Sequence, residues 1–348
     1  MELYKCDIST VEFDPMCDKE NPQRISFEDV SAAAFRIQSG IVKTPCVKSH
    51  MSSSFGMDVY LKNDFLQHTG SYDHPHIMAG QGTVGLEIVS QVPGVDAVLV
   101  PVGGGGLLAG VATAIKHLKP HVLIYGVETE KCPSMKLAIK CEEPTSVDIR
   151  STLADGLAVP TVGYNAYRTA KDLIDRMITV NEDWIARAIL RLVEQEKYVV
   201  EGGGAVGVAA IMAGLVPELA GKKVVCILSG GNIDTTILGR CLERGLAAEQ
   251  RLVKFKVTVS DRPGGIAELC KLIASIGVSI KDIMQERAWV YGDIFSVRVK
   301  VVCETRGPEH LEELREMIAS SYREFYFTGE ADYYARRQSL FSLDDVSH

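Results

Sequence analysis

The sequence predicts a two-domain protein in which a parallel α/β layer precedes a smaller α+β domain. From Thr83 to about Arg244, short apolar runs alternate with helical stretches, the pattern of a parallel sheet covered by helices. At about Glu249 the pattern becomes strict alternation, as in VKFKVTV at 253–259, which is typical of a half-buried strand. The chain has 348 residues, 46% hydrophobic and 24% charged, enough to bury more than one core.

The first domain is predicted element by element from its apolar spacing. Residues 1–25 lack periodicity and are predicted to be a mobile arm. Ser26 is predicted to cap a helix that ends before Gly40, and DVYLKND at 58–64 predicts a strand. Further apolar runs lie at 97–102, 123–127 and 224–228, and helical stretches at 84–91, 107–118, 165–176, 181–196 and 205–215.

The second domain shows the order β-α-β-β-α-β, which is that of a ferredoxin-like fold. After the strand at 253–259, a helix is predicted from Pro263 to Ile276. VSIKDI and AWVYGDIFSVRVKVVC supply strands, 308–321 an amphipathic helix, and YFTGEADYY the last strand. The predicted boundaries are 1–25 for the arm, 26–250 and 251–335 for the two domains, and 336–348 for a disordered tail.

Composition limits the classes of partner. The formal net charge is −8 and no basic cluster is interleaved with aromatics, so nucleic acid and anionic membranes are excluded in favour of small molecules. Nine cysteines, an odd number, are scattered from Cys6 to Cys303 without a C-x-x-C pair or a cysteine–histidine cluster. The N-terminus MELYKCDISTVEFD has no apolar signal core. We therefore predict a cytoplasmic protein.

The most informative segment is AVLVPVGGGGLLAG at 97–110, in which a strand runs through four glycines into a helix. Glycine can take positive φ and lets a ligand approach the backbone. Free N–H groups and the positive end of the helix dipole then favour an anion. The segment therefore predicts a phosphate-binding turn formed by Gly103, Gly104, Gly105 and Gly106.

Two other interpretations of this segment are open at this point. Four glycines can be a plain structural turn. Alternatively, Gly104, Gly106 and Ala109 fit the dinucleotide pattern G-x-G-x-x-A, and Glu128 closes the next apolar run near the position of a ribose-binding acid.

Three further motifs accompany the tetraglycine. They are TPCVKSHMSSSFGMDVYLKNDFLQHTGS at 44–71, EGGGAVG at 201–207 and CILSGGNID at 226–234. In this order the four motifs resemble the serine/threonine dehydratase (threonine ammonia-lyase) family of pyridoxal-phosphate enzymes, of the tryptophan-synthase-β type, fold type II. The resemblance covers most of residues 26–245 and displaces the dinucleotide interpretation, which leaves SGGN unexplained.

The resemblance implies a role for each motif at the cofactor. Gly103 to Gly106 would hold the cofactor phosphate through backbone N–H groups, and Ser229 would sit at the pyridine nitrogen, where a hydroxyl can donate to a neutral ring. Glu201 would lie beside the ring. Without the resemblance, SGGN is equally a strand-ending turn and Glu201 an acid at a helix N-terminus.

A metal site is also implied by the resemblance. Glu128 matches a carboxylate that helps to ligate a divalent cation in several relatives, although the later acidic ligand position is Ser134 here. His74 and His76, in YDHPHIMAG, are interpreted as part of an ordinary linker into the helix at 84, not as metal ligands or acid–base groups.

The chain departs from the family at the residue that carries the chemistry. Relatives continue from TGS through an aromatic residue to the lysine that forms the Schiff base, whereas Ser71 is followed here by Tyr72-Asp73-His74. The SxGNH-type loop is absent too, so a domain-sized block is missing between Ser71 and Tyr72. No catalytic residue is therefore assigned. Lys62 is the nearest amine, with a structural or surface role as the alternative.

The missing block has two expected consequences. Apolar faces that pack on it in relatives are expected to be exposed here. The chain is either a splice form or gene model that lacks exons, or a degenerate paralogue.

The second domain resembles an ACT domain through VTVSDRPGGIAEL at 257–269. ACT domains commonly pair side by side and bind a regulatory amino acid; a purely dimerising module is the alternative. The backbone N–H groups of the strand-to-helix turn are expected to receive the amino-acid carboxylate. This turn consists of Asp261, Arg262, Pro263, Gly264 and Gly265.

The resemblance implies a pyridoxal-phosphate-dependent L-threonine/L-serine ammonia-lyase that yields a 2-oxo acid and ammonia. Because the lysine is missing, we expect this chain to be catalytically impaired and to bind the cofactor weakly or non-covalently, with a divalent cation as a further candidate. The alternatives are a non-catalytic regulatory protein that binds amino acids through the ACT domain, and a serine racemase-like parent activity. Expected partners are small amino acids and further copies of the chain.

Overall fold

The computed structural model of the chain describes residues 14–66, 73–287 and 294–328, which fold as two units. The units are Met1–Leu242 and Glu243–His348, and their border falls inside helix α9 (Thr235–Ala248). Several predicted features lie outside the described residues: the Ser71/Tyr72 junction, the start of the arm, the beginning of AWVYGDIFSVRVKVVC, most of YFTGEADYY, and the tail.

Helix α1, Phe27–Ile37, confirms the predicted N-cap. The Ser26 hydroxyl accepts a hydrogen bond from the Asp29 N–H, and the Asp29 carboxylate accepts one from the Ser26 N–H. This reciprocal capping box satisfies two amide donors that the first helical turn leaves free. Val30 and Ala33 are buried, which fixes the face that the helix presents to the core.

A six-stranded sheet forms the centre of the first unit. Its spatial order is β1-β2-β6-β3-β4-β5, with β1 antiparallel to β2 and every other neighbouring pair parallel. The predicted runs at 58–64, 97–102, 123–127 and 224–228 are confirmed as strands. The strands are β1 Cys46–Lys48, β2 Asp58–Lys62, β3 Ala97–Pro101, β4 Leu123–Thr129, β5 Arg176–Val180 and β6 Lys223–Ile227.

Helices cover both faces of this sheet, because each strand of a parallel sheet needs an apolar neighbour on either side. One core contains Val30, Met78 and Ile115, and the other contains Ile189 and Val208. The remaining helices of this unit are α2 Ser52–Phe55, α3 Pro75–Gln91, α4 Gly106–Leu118, α5 Ser134–Cys141, α6 Tyr164–Ala170, α7 Glu182–Arg191 continued by a π-helical turn to Glu196, and α8 Gly202–Met212.

Two predicted elements of this unit are wrong. The helix predicted over 165–176 ends at Ala170, and β5 begins at Arg176, because pairing with β4 overrides the local helical pattern. The linker predicted around His74 and His76 is helical: α3 begins at Pro75, which fits the first helical turn because it has no N–H to satisfy. His74 Nδ1 caps this helix by accepting the N–H of His76 at 3.1 Å.

The described part of the predicted arm is bonded to α6. Asn165 Nδ2 donates to the Met16 carbonyl at 2.7 Å, and the Ile25 N–H donates to Thr169 Oγ1 at 3.3 Å. An ion pair joins Arg24 to Asp172 nearby. Residues 14–25 therefore form a strap along this helix.

The second unit confirms the predicted α+β order. Its antiparallel sheet has the order β10-β7-β9-β8, and two helices cover one face around Phe255, Val299 and Leu314. No helix among the described residues is long and apolar enough to cross a bilayer. The elements are β7 Leu252–Ser260, α10 Gly265–Ser275, β8 Ser279–Glu286, β9 Ser296–Glu304, α11 Pro308–Ser321 and β10 Phe325–Phe327.

Candidate functional site

The tetraglycine and SGGN meet at the carboxyl edge of the first sheet. β3 ends at Pro101, just before the glycines, and β6 ends at Ile227, just before Ser229. The two strands are hydrogen-bonded parallel neighbours, with Leu99 opposite Cys226, so their carboxyl ends lie side by side. In open α/β sheets, ligands bind at this edge.

The four glycines form the turn that enters α4. Gly105 has φ +94° and is the N-cap residue, a left-handed conformation that favours glycine. A Cβ on Gly105 would lie 2.8 Å from Met135 Cε, so the turn is also enclosed. Within the described residues, the N–H groups of Gly104, Gly105 and Gly106 donate to no other protein group. These donors at a helix N-terminus suit a phosphate.

Glu201 joins the SGGN turn to α8. Its N–H donates to the Gly230 carbonyl at 3.0 Å, and it is the N-cap residue of α8 without a side-chain cap bond. A Cβ on Gly230 would lie 2.1 Å from Glu201 Oε1, so the carboxylate rests directly against the glycine backbone. Only glycine at 230 allows this approach.

A short turn links this carboxylate to the tetraglycine. Asp155–Leu157 forms a 3-10 turn, in which a Cβ on Gly156 would lie 2.9 Å from Glu201 Oε1. On the other side, a Cβ on Gly103 would lie 3.1 Å from Leu157 Cα. The structure thus brings together the glycine turn, Glu201 and the SGGN segment.

The electrostatics at this edge raise the pKa of Glu201. Burial raises the pKa of its carboxyl above the usual value, and the negative charge of Asp155 raises it further. A hydrogen bond from the Asn232 backbone lowers the pKa and offsets part of that effect.

Lys62 is buried and held by three partners. Its Nζ pairs with the Glu87 carboxylate, donates to the Thr44 carbonyl at 2.6 Å, and donates to Gln91 Oε1 at 3.2 Å. The side chain is 0% exposed. The ammonium is therefore fully used in joining β2 to α3, which favours the structural interpretation of this lysine.

Glu128 caps a helix. Its two carboxylate oxygens accept the N–H groups of Met135 and Lys136, at 2.6 and 3.1 Å, in the first turn of α5. Burial raises the pKa of this carboxyl to about 7. Among the described residues no group of three or more His, Cys, Asp and Glu side chains could hold a metal ion, and Ser134 supplies no carboxylate. These residues do not fit a divalent cation.

Sequence reasoning missed Asp73 and the Asp155–Leu157 turn. The Asp73 carboxylate accepts the N–H of Ala166 at 3.1 Å at the start of α6, and the preceding Gly163 donates its N–H to the Gly104 carbonyl at 2.9 Å. The Asp-Gly pair at 155–156 was a turn signal in the sequence. Nothing local to Asp73 indicated a partner more than ninety residues away.

The strand-to-helix turn of the second unit repeats the glycine geometry. Gly264 has φ +94° and is the N-cap residue of α10. The Gly265 N–H donates to the Arg262 carbonyl at 3.1 Å. Among the described residues, the backbone N–H groups of Arg262, Gly264, Ile266 and Ala267 donate to no other protein group at this turn.

Charged side chains of this turn are tied to neighbours. Arg287 donates to both carboxylate oxygens of Asp261 at 2.8 and 3.0 Å, and Arg262 pairs with Glu268 at 2.9 Å. Hydrogen bonds from Arg287 lower the pKa of Asp261. A carboxylate ligand at this turn would therefore meet backbone N–H groups and guanidinium groups with Asp261 already neutralised.

Comparison with known proteins identifies both units. Residues 71–230 match the pyridoxal-phosphate dependent enzyme family, and residues 254–319 match the ACT domain. The L-threonine ammonia-lyase of Thermotoga maritima is 42% identical over 252 residues, or 72% of this chain and 62% of that protein. The L-threonine ammonia-lyase of Geobacter sulfurreducens is 44% identical over 70% of this chain and 60% of that protein. The chain thus spans about three fifths of these relatives' length.

Solved structures agree on the fold. The T.th. threonine deaminase has a TM-score of 0.57 and 29% identity, covering 60% of this chain and 99% of that one. The serine racemase of Dictyostelium discoideum, at 24% identity and a TM-score of 0.56, covers 60% of this chain and 99% of that one and shows the fold alone. The chain thus combines a domain of the pyridoxal-phosphate dependent enzyme family with an ACT domain, and its similarity to L-threonine ammonia-lyases supports the threonine dehydratase family.

Proposed function

We propose that this chain is a catalytically impaired member of the L-threonine/L-serine ammonia-lyase family. It keeps the glycine turn that would bind the cofactor phosphate and has lost the lysine that would form the Schiff base. The observation that carries this proposal is the environment of Lys62. It is the nearest lysine to the TGS motif, no lysine occurs from 63 to 115, and its ammonium is buried against Glu87.

The residues fit only part of pyridoxal phosphate. When bound in the family, the cofactor supplies an electron sink for chemistry at the amino-acid α-carbon, leading to a 2-oxo acid and ammonia. In this chain, the N–H groups of Gly104, Gly105 and Gly106 would hold the phosphate, and the Ser229 hydroxyl would donate to the ring nitrogen. Glu201 would lie beside the ring. No side chain is assigned to move the α-proton, so cofactor binding would be weak and non-covalent.

The ACT domain supports a second candidate, a non-catalytic regulatory role. Its turn is exposed at Gly264, and the N–H groups of Ile266 and Ala267 are available to an amino-acid carboxylate. The chain would then sense a small amino acid and act allosterically on further copies joined through this domain. A serine racemase-like parent activity remains the alternative to ammonia-lyase chemistry.

Cysteine chemistry supports a cytoplasmic location. Eight cysteines of the described residues are free thiols, and none of them forms a disulfide. Scattered free thiols suit a reducing compartment.

Borohydride reduction tests the loss of the amine. The protein is incubated with pyridoxal phosphate, reduced, digested and mapped by mass spectrometry. We expect no modified peptide containing Lys62. In a filter-binding assay, inorganic phosphate should still compete with pyridoxal phosphate for binding to the protein. A stoichiometric adduct on Lys62, or measurable ammonia release from threonine, would contradict the proposal. Transcripts that restore a lysine-bearing block between Ser71 and Tyr72 would indicate a splice form.

Calorimetry tests the regulatory candidate. The full chain is titrated with isoleucine, valine, threonine and serine, and heat is expected with at least one of them. Gly264→Val changes the left-handed turn and should abolish that heat. Gly277→Ala, another positive-φ glycine (+75°) of the same unit, is the matched control and should retain it. A folded wild-type chain that binds none of the four amino acids leaves only the dimerising role.

A further inference from the structure

The peptide between Gly104 and Gly105 is held from outside the glycine turn. The Gly104 carbonyl accepts the Gly163 N–H at 2.9 Å. In a trans peptide, the carbonyl and the N–H of the following residue point in opposite directions. The hydrogen bond from Gly163 therefore turns the Gly105 N–H away from α6. Because this N–H donates to no other group of the described residues, it is left for a ligand.

The helix that follows does not fix this peptide. Gly105 is the N-cap residue of α4, and its carbonyl accepts the Ala109 N–H at 2.9 Å, so the helix fixes the peptide between Gly105 and Gly106. The peptide between Gly104 and Gly105 comes one residue earlier. Glycine has no Cβ to restrict rotation about the bonds that flank a peptide. The orientation of the Gly105 N–H therefore depends on the bond from Gly163.

Asp73 holds the start of α6, where Gly163 is the N-cap residue. Its carboxylate accepts the Ala166 N–H at 3.1 Å. A Cβ on Gly163 would overlap Asp73 Oδ1, so the carboxylate rests against the glycine backbone. Burial raises the pKa of this carboxyl, and hydrogen bonds from the backbone of Ala166, Asn165 and Tyr164 lower it. One carboxylate thus binds the first turn of the helix and contacts its N-cap residue.

A buried amide fixes Asp73 in turn. Asn165 is 1% exposed, and its Nδ2 donates to the Asp73 carbonyl at 3.0 Å and to the Met16 carbonyl at 2.7 Å. Its Oδ1 accepts the Gln23 N–H. Asp73 is therefore joined to α6 through its main chain as well as its side chain.

We propose that Asp73 is a positioning residue for the phosphate site: it holds α6 so that Gly163 aims the Gly105 N–H at the phosphate. This inference rests on the proposed function, because it takes the glycine turn to bind phosphate. Asp73 acts through α6 and Gly163 and not by contact with the ligand. Losing one hydrogen bond to a charged group weakens binding about tenfold or more.

Equilibrium dialysis with pyridoxal phosphate, and with inorganic phosphate as competitor, measures this effect. Asp73→Ala should weaken the binding of both ligands at least about tenfold. Thr169→Val is the matched control, because Thr169 Oγ1 on the same helix accepts the Ile25 N–H at 3.3 Å. This variant loses one buried acceptor away from the start of α6 and should bind both ligands as the wild type does. Circular dichroism checks that both variants are folded.

A double substitution tests whether Asp73 acts through Gly163. Gly163 has φ −61° and ψ 140°, which alanine also adopts, so the Cβ of Gly163→Ala acts by displacing the Asp73 carboxylate. Gly163→Ala alone should therefore weaken binding as Asp73→Ala does. In Asp73→Ala/Gly163→Ala the Cβ takes the space of the carboxylate, so the double variant should bind no more weakly than Asp73→Ala. Losses that multiply would show independent effects and would overturn the proposal.

The Gly163 amide reports the intermediate step without any ligand. In protein labelled on glycine nitrogen, it is identified as the NMR signal that Gly163→Ala removes. Its hydrogen exchange should be at least about tenfold faster in Asp73→Ala than in the wild type or Thr169→Val. Weaker binding without faster exchange, faster exchange without weaker binding, or equal weakening in Thr169→Val would each overturn the positioning role alone. A wild-type chain that binds neither ligand would overturn the proposed phosphate site itself, and this inference with it.

Discussion

Two glycine turns of this protein share a backbone conformation and differ in their surroundings. Gly105 enters α4 and Gly264 enters α10, both at φ +94° as N-cap residues. A Cβ on Gly105 would strike Met135, whereas a Cβ on Gly264 meets nothing within 4 Å. The first turn is buried within its own domain, whereas the second is open to solvent.

Ion pairs repeat this contrast. Lys62 and Glu87 are 0% and 14% exposed, while Arg287 and Asp261 are 58% and 27% exposed. Breaking a buried pair leaves a charge without compensation, whereas an exposed charge is solvated by water. The Lys62–Glu87 pair is therefore expected to contribute more to stability than the Arg287–Asp261 pair.

The largest expected effect comes from the buried pair. Glu87→Ala should lower the free energy of unfolding by about 4 kcal/mol, because it leaves the Lys62 ammonium buried without its counter-charge. Asp261→Ala, the matched change at the exposed pair, should leave stability unchanged within error. Urea denaturation measures both. Equal effects of the two substitutions would remove the contrast between the regions.

The glycine turns give the next largest difference. Gly105→Val combines a strained left-handed backbone with a clash against Met135 and should cost roughly 3–4 kcal/mol. Gly264→Val carries only the backbone strain and should cost about 1 kcal/mol. Gly56→Ala, at φ +63° with no atom within 4 Å of a Cβ, provides a second strain-only control. A small effect at Gly105 would mean that its turn is not enclosed.

The pH dependence of stability distinguishes the two regions by sign. The folded pKa of Glu128, about 7, is above its unfolded value, so the folded chain binds more protons between about 4.5 and 7. Stability should therefore fall by about 3 kcal/mol as pH rises through this window. Glu128→Gln should remove that part of the slope in thermal unfolding between pH 5 and 8. An unchanged slope would show that Glu128 is ionised throughout.

The smallest expected effect concerns the ACT turn alone. The pKa of Asp261 is lowered in the folded chain by the Arg287 hydrogen bonds, so its contribution is present above its unfolded pKa and is lost as pH falls through the folded one. Arg287→Ala should raise the pKa of Asp261 in an NMR titration and lower stability at neutral pH only slightly, because the pair is exposed. No change in that pKa would show that the pair is not formed in solution.

Sequence reasoning located the carboxyl edge of the sheet because apolar runs and glycines are local signals. β3, β4 and β6 lie where the runs at 97–102, 123–127 and 224–228 predicted them, to within two residues. The sequence analysis did not predict β5, because RMITV begins with an exposed arginine and no turn signal separates it from the preceding helix. Only pairing with β4 shows it to be a strand.

The burial of Lys62 could not be predicted from its strand. Alternation along β2 indicates which side of the sheet a residue faces, but not which side chains it contacts there. The partners Glu87 and Gln91 come from α3, whose first turns had been interpreted as a linker. On either side of the junction, Val47 and Ile77 are apolar side chains that are 44% and 41% exposed.

The strand order has a consequence for synthesis of the chain. Asp58 on β2 pairs with Lys223 on β6. The hairpin of β1 and β2 therefore cannot pair with the rest of the sheet until β6, the last strand of this sheet in sequence, has left the ribosome. A nascent chain that stops before β6 leaves the edges of both β2 and β3 unpaired, and unpaired edges promote aggregation. Pairing over such a sequence separation also makes folding slow. The edge of β2 therefore stays unpaired from the synthesis of Lys62 to the synthesis of Ile227.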